Sequence, residues 1–150
     1  KRNFPVQAYL THSEVAAVDF YSKGENSEGL LMAPAYAVPR LLKRAGLTLQ
    51  DFDFYEIHEA FAAQVLCTLK AWESEDFCKE KLGLDQALGS IDRTKLNIKG
   101  SSVATGHPFA ATGPRIMATL AKIISENGGG RGLISICAAG GQGVTAILEG

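Results

Sequence analysis

Segments with two different hydrophobic periods take turns along this 150-residue chain, and that alternation restricts the fold more than any single motif does. Val6 to Phe20 mixes β-branched, aromatic and small apolar residues (Val6, Ala8, Tyr9, Leu10, Val15, Val18) between Pro5 and the polar Ser22 to Ser27 stretch, which predicts a strand. Ala35 to Ala45 places Val38, Leu41, Leu42 and Ala45 at helical spacing, ends in Lys43 and Arg44, and meets Gly46 where a C-cap glycine belongs. A turn at Thr48 to Asp51 leads into a short strand, Phe52 to Ile57. Phe61, Val65, Leu66, Leu69 and Trp72 then step by threes and fours, the mark of a second helix. Glu75 to Leu82 extends that helix or forms a short one of its own, and Gly83 to Thr94 reads as a turn-rich surface excursion. Leu96 to Ile98 is a strand candidate feeding the small-residue loop Gly100 to His107. A third helix is expected from Pro108, with Ile116, Leu120, Ile123 and Ile124 on one face and Gly128 to Gly130 as its stop. Leu133 to Cys137 and Val144 to Leu148 close the chain as an antiparallel hairpin with a wide glycine-rich turn. The order predicts an α/β layer: a mixed, mostly parallel five-stranded sheet with helices on both faces.

Composition narrows the function classes. With 46% hydrophobic residues the chain can bury one complete core, so a single domain over residues 1–150 is expected. Fifteen basic against 16 acidic residues give a net charge of -1 without any block of like charges, which removes nucleic acid as a partner. The longest apolar run, Leu30 to Pro39, contains Pro34 and Pro39 and is far short of the ~20 residues a membrane helix needs. Cys67, Cys78 and Cys137 are odd in number and lack C-x-x-C spacing, so neither a disulfide framework nor a structural zinc site is indicated. A reducing compartment follows: cytoplasm in a bacterium, mitochondrion or peroxisome in a eukaryote. Lys1, in place of methionine, suggests a piece of a longer protein.

Ligands of such sheets sit beyond the carboxyl ends of the strands. His58 and Glu59, His107, and Cys137 to Gly141 fall at those ends, and their convergence is the first functional signal. Two tempting motifs fail. Gly141, Gly143 and Ala146 spell G-x-G-x-x-A but open a β-branched segment and not a helix. His58-Glu59 begins H-E-x-x-H, but position 62 is alanine, so the second zinc ligand is missing. Gly106-His107-Pro108 precedes the small residues Ala110, Ala111 and Gly113, a loop suited to aiming one imidazole at a close-lying ligand. Cys137 abuts Ala138-Ala139-Gly140-Gly141-Gln142-Gly143, whose backbone N–H groups can face an oxyanion while an imidazole tunes the thiol. Cys67 and Cys78 lack such a setting and read as structural.

Taken together, His58-Glu59-Ala60-Phe61, Gly106-His107-Pro108-Phe109-Ala110-Ala111-Thr112-Gly113 and Cys137-Ala138-Ala139-Gly140-Gly141-Gln142-Gly143 resemble the three carboxyl-half motifs of the thiolase family, in order and at plausible separations. Ala33-Pro34-Ala35-Tyr36-Ala37-Val38-Pro39 and Ala45-Gly46-Leu47 look like the helix before the first motif, so the resemblance spans nearly the whole chain. His58 stands where the common motif has asparagine. That departure resembles the β-subunit type of fatty-acid-oxidation thiolase, which carries H-E-A-F together with C-A-A-G-G-Q-G.

The resemblance implies a thiolase-like carboxyl-terminal half and acyl transfer between CoA thioesters. The reaction is thiolytic cleavage of a 3-ketoacyl-CoA or the reverse Claisen condensation. His107 matches the histidine that activates a nucleophilic cysteine borne by the amino-terminal half and then helps form an oxyanion hole. Cys137 matches the second cysteine, which moves the proton on the acetyl α-carbon. Ala139 lends a backbone N–H to the acyl-enzyme oxyanion, and His58 supports the other oxyanion hole, directly or through a water. Phe61 sits near the bound acyl-pantetheine, with Gly106, Pro108 and Gly140 also lining the substrate site. No metal and no resident cofactor is implied, since coenzyme A is a substrate. The expected partners are acyl-CoA or CoA, the amino-terminal half and, for the whole protein, further copies of itself. The fragment alone would be inactive and would expose apolar surface. Two rivals remain: a β-ketoacyl synthase, disfavoured by Cys137, and a non-catalytic acyl-CoA-binding domain, disfavoured by the pairing of His107 with Cys137.

Overall fold

The computed structural model describes residues 3–24 and 27–150. Lys1, and Glu25 and Asn26 of the Ser22 to Ser27 stretch, lie outside the described residues. The elements are strands β1 (Tyr9–Ala17), β2 (Phe54–Ile57), β3 (Arg131–Ala138) and β4 (Gln142–Glu149) and helices α1 (Ala33–Ala45), α2 (Ala62–Glu73), α3 (Glu75–Glu80), α4 (Ser102–Thr105) and α5 (Thr112–Glu126), with a 3-10 turn at Arg93–Lys95. The sheet order is β1-β4-β3-β2.

The α/β layering with helices on both faces is as the alternation predicts. Because side chains alternate across a strand, Tyr55, Ile57, Leu133 and Ile147 face α1 and α2, where they pack with Val38, Leu41, Leu42, Val65, Leu69 and Trp72. On the opposite face Ile134, Ala146 and Leu148 pack with Ile116, Leu120 and Ile124 of α5. The fold belongs to the three-layer class in which one sheet is covered twice.

The sheet itself departs from expectation: it has four strands among the described residues, and only the β2–β3 pair is parallel. The hairpin predicted at the end of the chain is present, and β1 adds to it antiparallel on the outer edge. The expected strand at Leu96 to Ile98 reduces to one parallel bridge between Leu96 and Tyr55. The reason lies in Asn97, whose φ of 48° turns the chain out of the extended region. Its carboxamide then substitutes for a strand, accepting from Ile57 N–H and donating to Ile57 C=O at 2.9 Å each.

α1 starts two residues before its predicted limit, with Pro34 in the first turn, and ends at Gly46 in the left-handed conformation (φ 67°) as its sequence demands. Pro39 lies inside the helix, where it cannot donate to the carbonyl of Ala35. The indole of the fully buried Trp72 donates to that carbonyl at 3.4 Å, so the missing helical bond is made good by a neighbouring helix. α2 begins at Ala62, and Glu75 to Glu80 is a separate helix started by Ser74, whose hydroxyl accepts from Phe77 N–H. The third predicted helix begins at Thr112 and not at Pro108, because Pro108 to Ala111 form a turn in which Ala110 holds φ 65°. The Gly83 to Thr94 excursion carries no strand and is pinned by Gln50, whose amide donates to the carbonyls of Leu88 and Ser90.

Gly143 lies inside β4, in line with the rejection of a dinucleotide fingerprint. It faces the first turn of α1 so closely that a Cβ there would stand 2.7 Å from Pro34 N and 2.9 Å from the Ala33 carbonyl carbon. Backbone cannot yield as a side chain can, so overpacking should be costly. Gly143→Ala is therefore expected to lower stability by about 2–3 kcal/mol, read as a fall in the urea midpoint at unchanged m-value. An unchanged midpoint would show that α1 can retreat from β4.

Candidate active site

The parallel pairing of β2 with β3 puts the carboxyl ends of both strands side by side. It continues one bond past β2, where His58 N–H donates to Ser135 C=O at 2.9 Å. His58 and Cys137 are thereby brought to line one small cavity with Ile57, Val65, Thr68 and Ser135, of free volume about 10 Å³ and large enough for roughly one water. His107 joins not from a strand end, as the sequence suggested, but from the loop between α4 and α5: its ring lies 4.3 Å from that of His58, at 48°. The three sequence-predicted catalytic residues thus come together, although 79 positions separate His58 from Cys137 (137 minus 58).

Each imidazole is held from behind. His58, only 2% exposed, has Nδ1 2.7 Å from Ser102 Oγ, while its Nε2 is buried without a partner. Ser102 Oγ also accepts from Arg115 at 2.8 Å. His107 Nδ1 lies 2.6 Å from Thr112 Oγ1, and the Thr112 hydroxyl donates to Pro108 C=O at 3.3 Å. With its one hydrogen spent on that carbonyl, Thr112 must accept from Nδ1–H, which leaves His107 Nε2 with a free lone pair, the form a base requires. Ser102, Thr112 and Arg115 were not among the sequence candidates. Thr112 sits inside the Gly106 to Gly113 segment and could have been read as a local partner, whereas Ser102 and Arg115 reach the site only through the fold.

Electrostatics separate the groups further. Burial pushes the His58 pKa down to about 4, and the adjacent His107 and Arg115 act in the same direction, so the ring is neutral at pH 7. Burial likewise raises the Cys137 thiol, which rests protonated as a proton donor. Behind the site Glu56, 1% exposed, has both carboxylate oxygens unpartnered, and burial raises its pKa to about 7 against the opposing pull of Arg115. Glu59, flagged by its position after β2, has a holding role: its carboxylate accepts from Asn97 Nδ2 at 2.8 Å and from Val103 N–H at 2.9 Å, tying the β2 end to α4.

The remaining candidates form an open rim. Phe61 is 67% exposed at the start of α2, and Phe109 is 86% exposed with its ring 5.2 Å from His107. Gly106 ends α4 at φ 86°, a conformation that favours glycine, and Pro108 follows His107 exposed. Ala139 and Gly140 occupy the exposed tip of the β3–β4 hairpin. Against that tip Gly141 accepts from Val18 N–H at 2.8 Å, so closely that no Cβ would fit there. Cys67 and Cys78 stand apart as expected, Cys78 buried with its thiol toward the carbonyls of Ala71 and Trp72. All three cysteines are free, and among the described residues no group of three His, Cys, Asp or Glu is gathered to hold a metal.

Comparison with known proteins agrees with this architecture. Residues 11–150 match the sequence model of the family described as Thiolase, C-terminal domain. The chain is 48% identical over 141 residues to a 3-ketoacyl-CoA thiolase of Alteromonas mediterranea, covering 94% of this chain and 31% of that protein. It is 45% identical over 145 residues to one of Yersinia pestis, covering 97% and 32%. Among solved structures, an acetyl-CoA acetyltransferase of Syntrophomonas wolfei superposes with a TM-score of 0.73 at 31% identity over 95% of this chain and 32% of that one. The peroxisomal 3-ketoacyl-CoA thiolase of Saccharomyces cerevisiae, described as five layers built from two core domains of identical topology, gives 0.70 at 33% identity over 98% and 35%. The chain spans about a third of the length of the relatives it matches.

The opposed shifts of Glu56 and His58 make a stability prediction. A carboxyl whose folded pKa is raised from 4.5 to about 7 loses stability as pH rises through that window. A histidine depressed from 6.5 to about 4 gains stability as pH rises over nearly the same range. The two slopes offset each other in the native chain. In Glu56→Gln the His58 slope should stand alone, with the melting temperature climbing from pH 4.5 to 6.5 more steeply than in the parent, and in His58→Asn it should fall. Parallel melting curves for all three proteins would refute these environments.

Proposed function

Because this chain belongs to the thiolase family, matching its carboxyl-terminal domain, we propose that it supplies the acid–base half of a 3-ketoacyl-CoA thiolase, acting with an amino-terminal half that carries the nucleophilic cysteine. The observation that carries this reading is the convergence of His58 and Cys137, at adjoining strand ends, with His107 from the loop before α5: the two imidazole rings are in contact, and His58 and Cys137 share a cavity.

The geometry supports a division of labour. His107, with Nε2 unprotonated, takes the proton of the nucleophilic cysteine's thiol, and that thiolate attacks the 3-keto carbon of the substrate. The carbon–carbon bond of the resulting alkoxide breaks, leaving an acyl thioester on the nucleophile and the enolate of acetyl-CoA. The Cys137 thiol, kept protonated by burial, passes its proton to the enolate carbon. Free CoA then passes its thiol proton to the Cys137 thiolate and attacks the acyl thioester, and the nucleophile leaves as a thiolate that takes its proton back from His107, completing a ping-pong cycle. Condensation runs the same steps backwards. His58 and the backbone N–H of Ala139 are the donors for developing oxyanions, where fixed dipoles in a dry site have their largest effect. Coenzyme A enters as a substrate, and every step uses protein acids and bases. Gly106, Pro108, Gly140 and the exposed ring of Phe61 form the rim across which the acyl-pantetheine would lie.

Apolar side chains exposed around that rim, Phe61, Leu66, Val103 and Phe109, support burial against another thiolase domain, the amino-terminal half or a second copy. The free cysteines and the bacterial relatives support a cytoplasmic setting, and no helix among the described residues is long and apolar enough to cross a membrane.

The test is CoA-dependent cleavage of acetoacetyl-CoA and longer 3-ketoacyl-CoAs by this chain assembled with its amino-terminal half. Cys137→Ala and His107→Ala should each reduce kcat by about 10²–10⁴, the usual effect of a general acid or base. Thiolysis unchanged in Cys137→Ala would leave only an acyl-CoA-binding domain. Turnover by this chain alone would place the nucleophile among Cys67, Cys78 and Cys137 and overturn the assignment of roles.

A further inference from the structure

The hydrogens of the buried groups behind His58 can be placed in only one economical way. Arg115 has donors and no acceptors, so its 2.8 Å contact with Ser102 Oγ occupies one lone pair of the hydroxyl. Ser102 is itself buried, and the other side-chain partner of its Oγ is His58 Nδ1 at 2.7 Å. Were Nδ1 protonated, it would donate to the second lone pair of Ser102. The serine hydrogen would then be left without that partner, and the lone pair on His58 Nε2, which has no partner either, would be orphaned as well. With the serine hydrogen directed at Nδ1, the His58–Ser102 pair leaves only one of its own groups unmatched: the Nε2–H of a ring that lines the cavity shared with Cys137.

We propose that Ser102, oriented by Arg115, is a positioning residue that fixes His58 as its Nε2–H tautomer, so that the ring offers a hydrogen-bond donor to a thioester oxygen in the cavity. The inference rests on the reading of His58 as an oxyanion donor. It goes further by naming the groups that keep His58 from presenting a lone pair instead, which would repel the oxyanion. Arg115 acts twice, consuming the acceptor capacity of Ser102 and, as a fixed cation beside the ring, opposing a second proton on it. Contact with His107 opposes that proton as well. The serine thus does for His58 what Thr112 does for His107, with the opposite result: one hydroxyl donates and the other accepts, so of the two adjacent rings one presents an Nε2–H and the other an Nε2 lone pair.

The experiment labels the histidines with ¹⁵N in the assembled protein and reads the ring nitrogen shifts of His58 alongside steady-state thiolysis of a 3-ketoacyl-CoA. The native protein should show His58 protonated at Nε2, and Ser102→Thr, which keeps the hydroxyl, should preserve both the tautomer and kcat. Ser102→Ala should mix the tautomers and lower kcat by about 10–100-fold with KM within about threefold, since a misplaced oxyanion donor affects the transition state more than binding. If Ser102→Ala fails to fold, Ser102→Cys, close in size but a weak donor, takes its place with the same expectation. Native His58 protonated at Nδ1, or an unchanged tautomer and kcat in the alanine variant, would overturn the proposal. A protein that cleaves no 3-ketoacyl-CoA, yet shows the Nε2–H tautomer depending on Ser102, would uphold the positioning role and refute the proposed activity.

Discussion

The parallel ladder between β2 and β3 is the interaction on which the rest of the molecule depends. Its four paired residues run from Phe54 opposite Gly132 to Ile57 opposite Ser135, and one further backbone bond carries it to His58. A parallel pair necessarily ends both strands on the same side, so the loops after β2 and β3 share one rim. An antiparallel pairing here would have sent His58 and Cys137 to opposite ends of the sheet. The antiparallel arrangement is kept for the other edge, where β4 and β1 fold back to widen the sheet and bring Gly143 under the first turn of α1. Hydrophobic packing on both faces then guards this register against a one-residue slip, which would turn Leu133 and Ile147 away from α1 and Ile134 and Leu148 away from α5.

On the α5 side of that ladder the structure tolerates what cores usually avoid. Glu56 shares its face of the sheet with Phe54 and Ile134, yet it is a carboxylate with no hydrogen bond from the protein, in the electrostatic reach of Arg115. Burying such a carboxyl is expensive unless a nearby cation offsets the cost. Their presence close behind Ser102, His58 and His107 makes sense if charge there shapes the proton positions of the site, since packing alone would be better served by aliphatic residues.

Much of this was legible in the chain. Helix α1 announced its end through Gly46, the hairpin through its two apolar runs, and the three loops of the site through small residues near His58, His107 and Cys137. What escaped was set by contacts distant in sequence. The missing fifth strand turned on a single asparagine whose side chain occupies the place of a ladder, something period and propensity do not register. The direction of β1 depended on which edge of the sheet it joined, and the alternation of elements carries no information on that choice. Ser102 is 44 positions from His58, so no local pattern marked it. Pro39 would ordinarily weaken the case for an uninterrupted helix, and only the indole of Trp72 explains why it does not.

The contact between the two imidazoles carries a consequence for the order of events. The His58 ring, 4.3 Å from that of His107 and within the electrostatic reach of Arg115, stays neutral at a pH where a free imidazole would take a proton. In the proposed reaction a proton taken up by His107 would therefore find no resting place on His58. It would have to return to solvent or to a departing thiolate before a second could be accepted, so the two half-reactions of the proposed cycle would alternate in time.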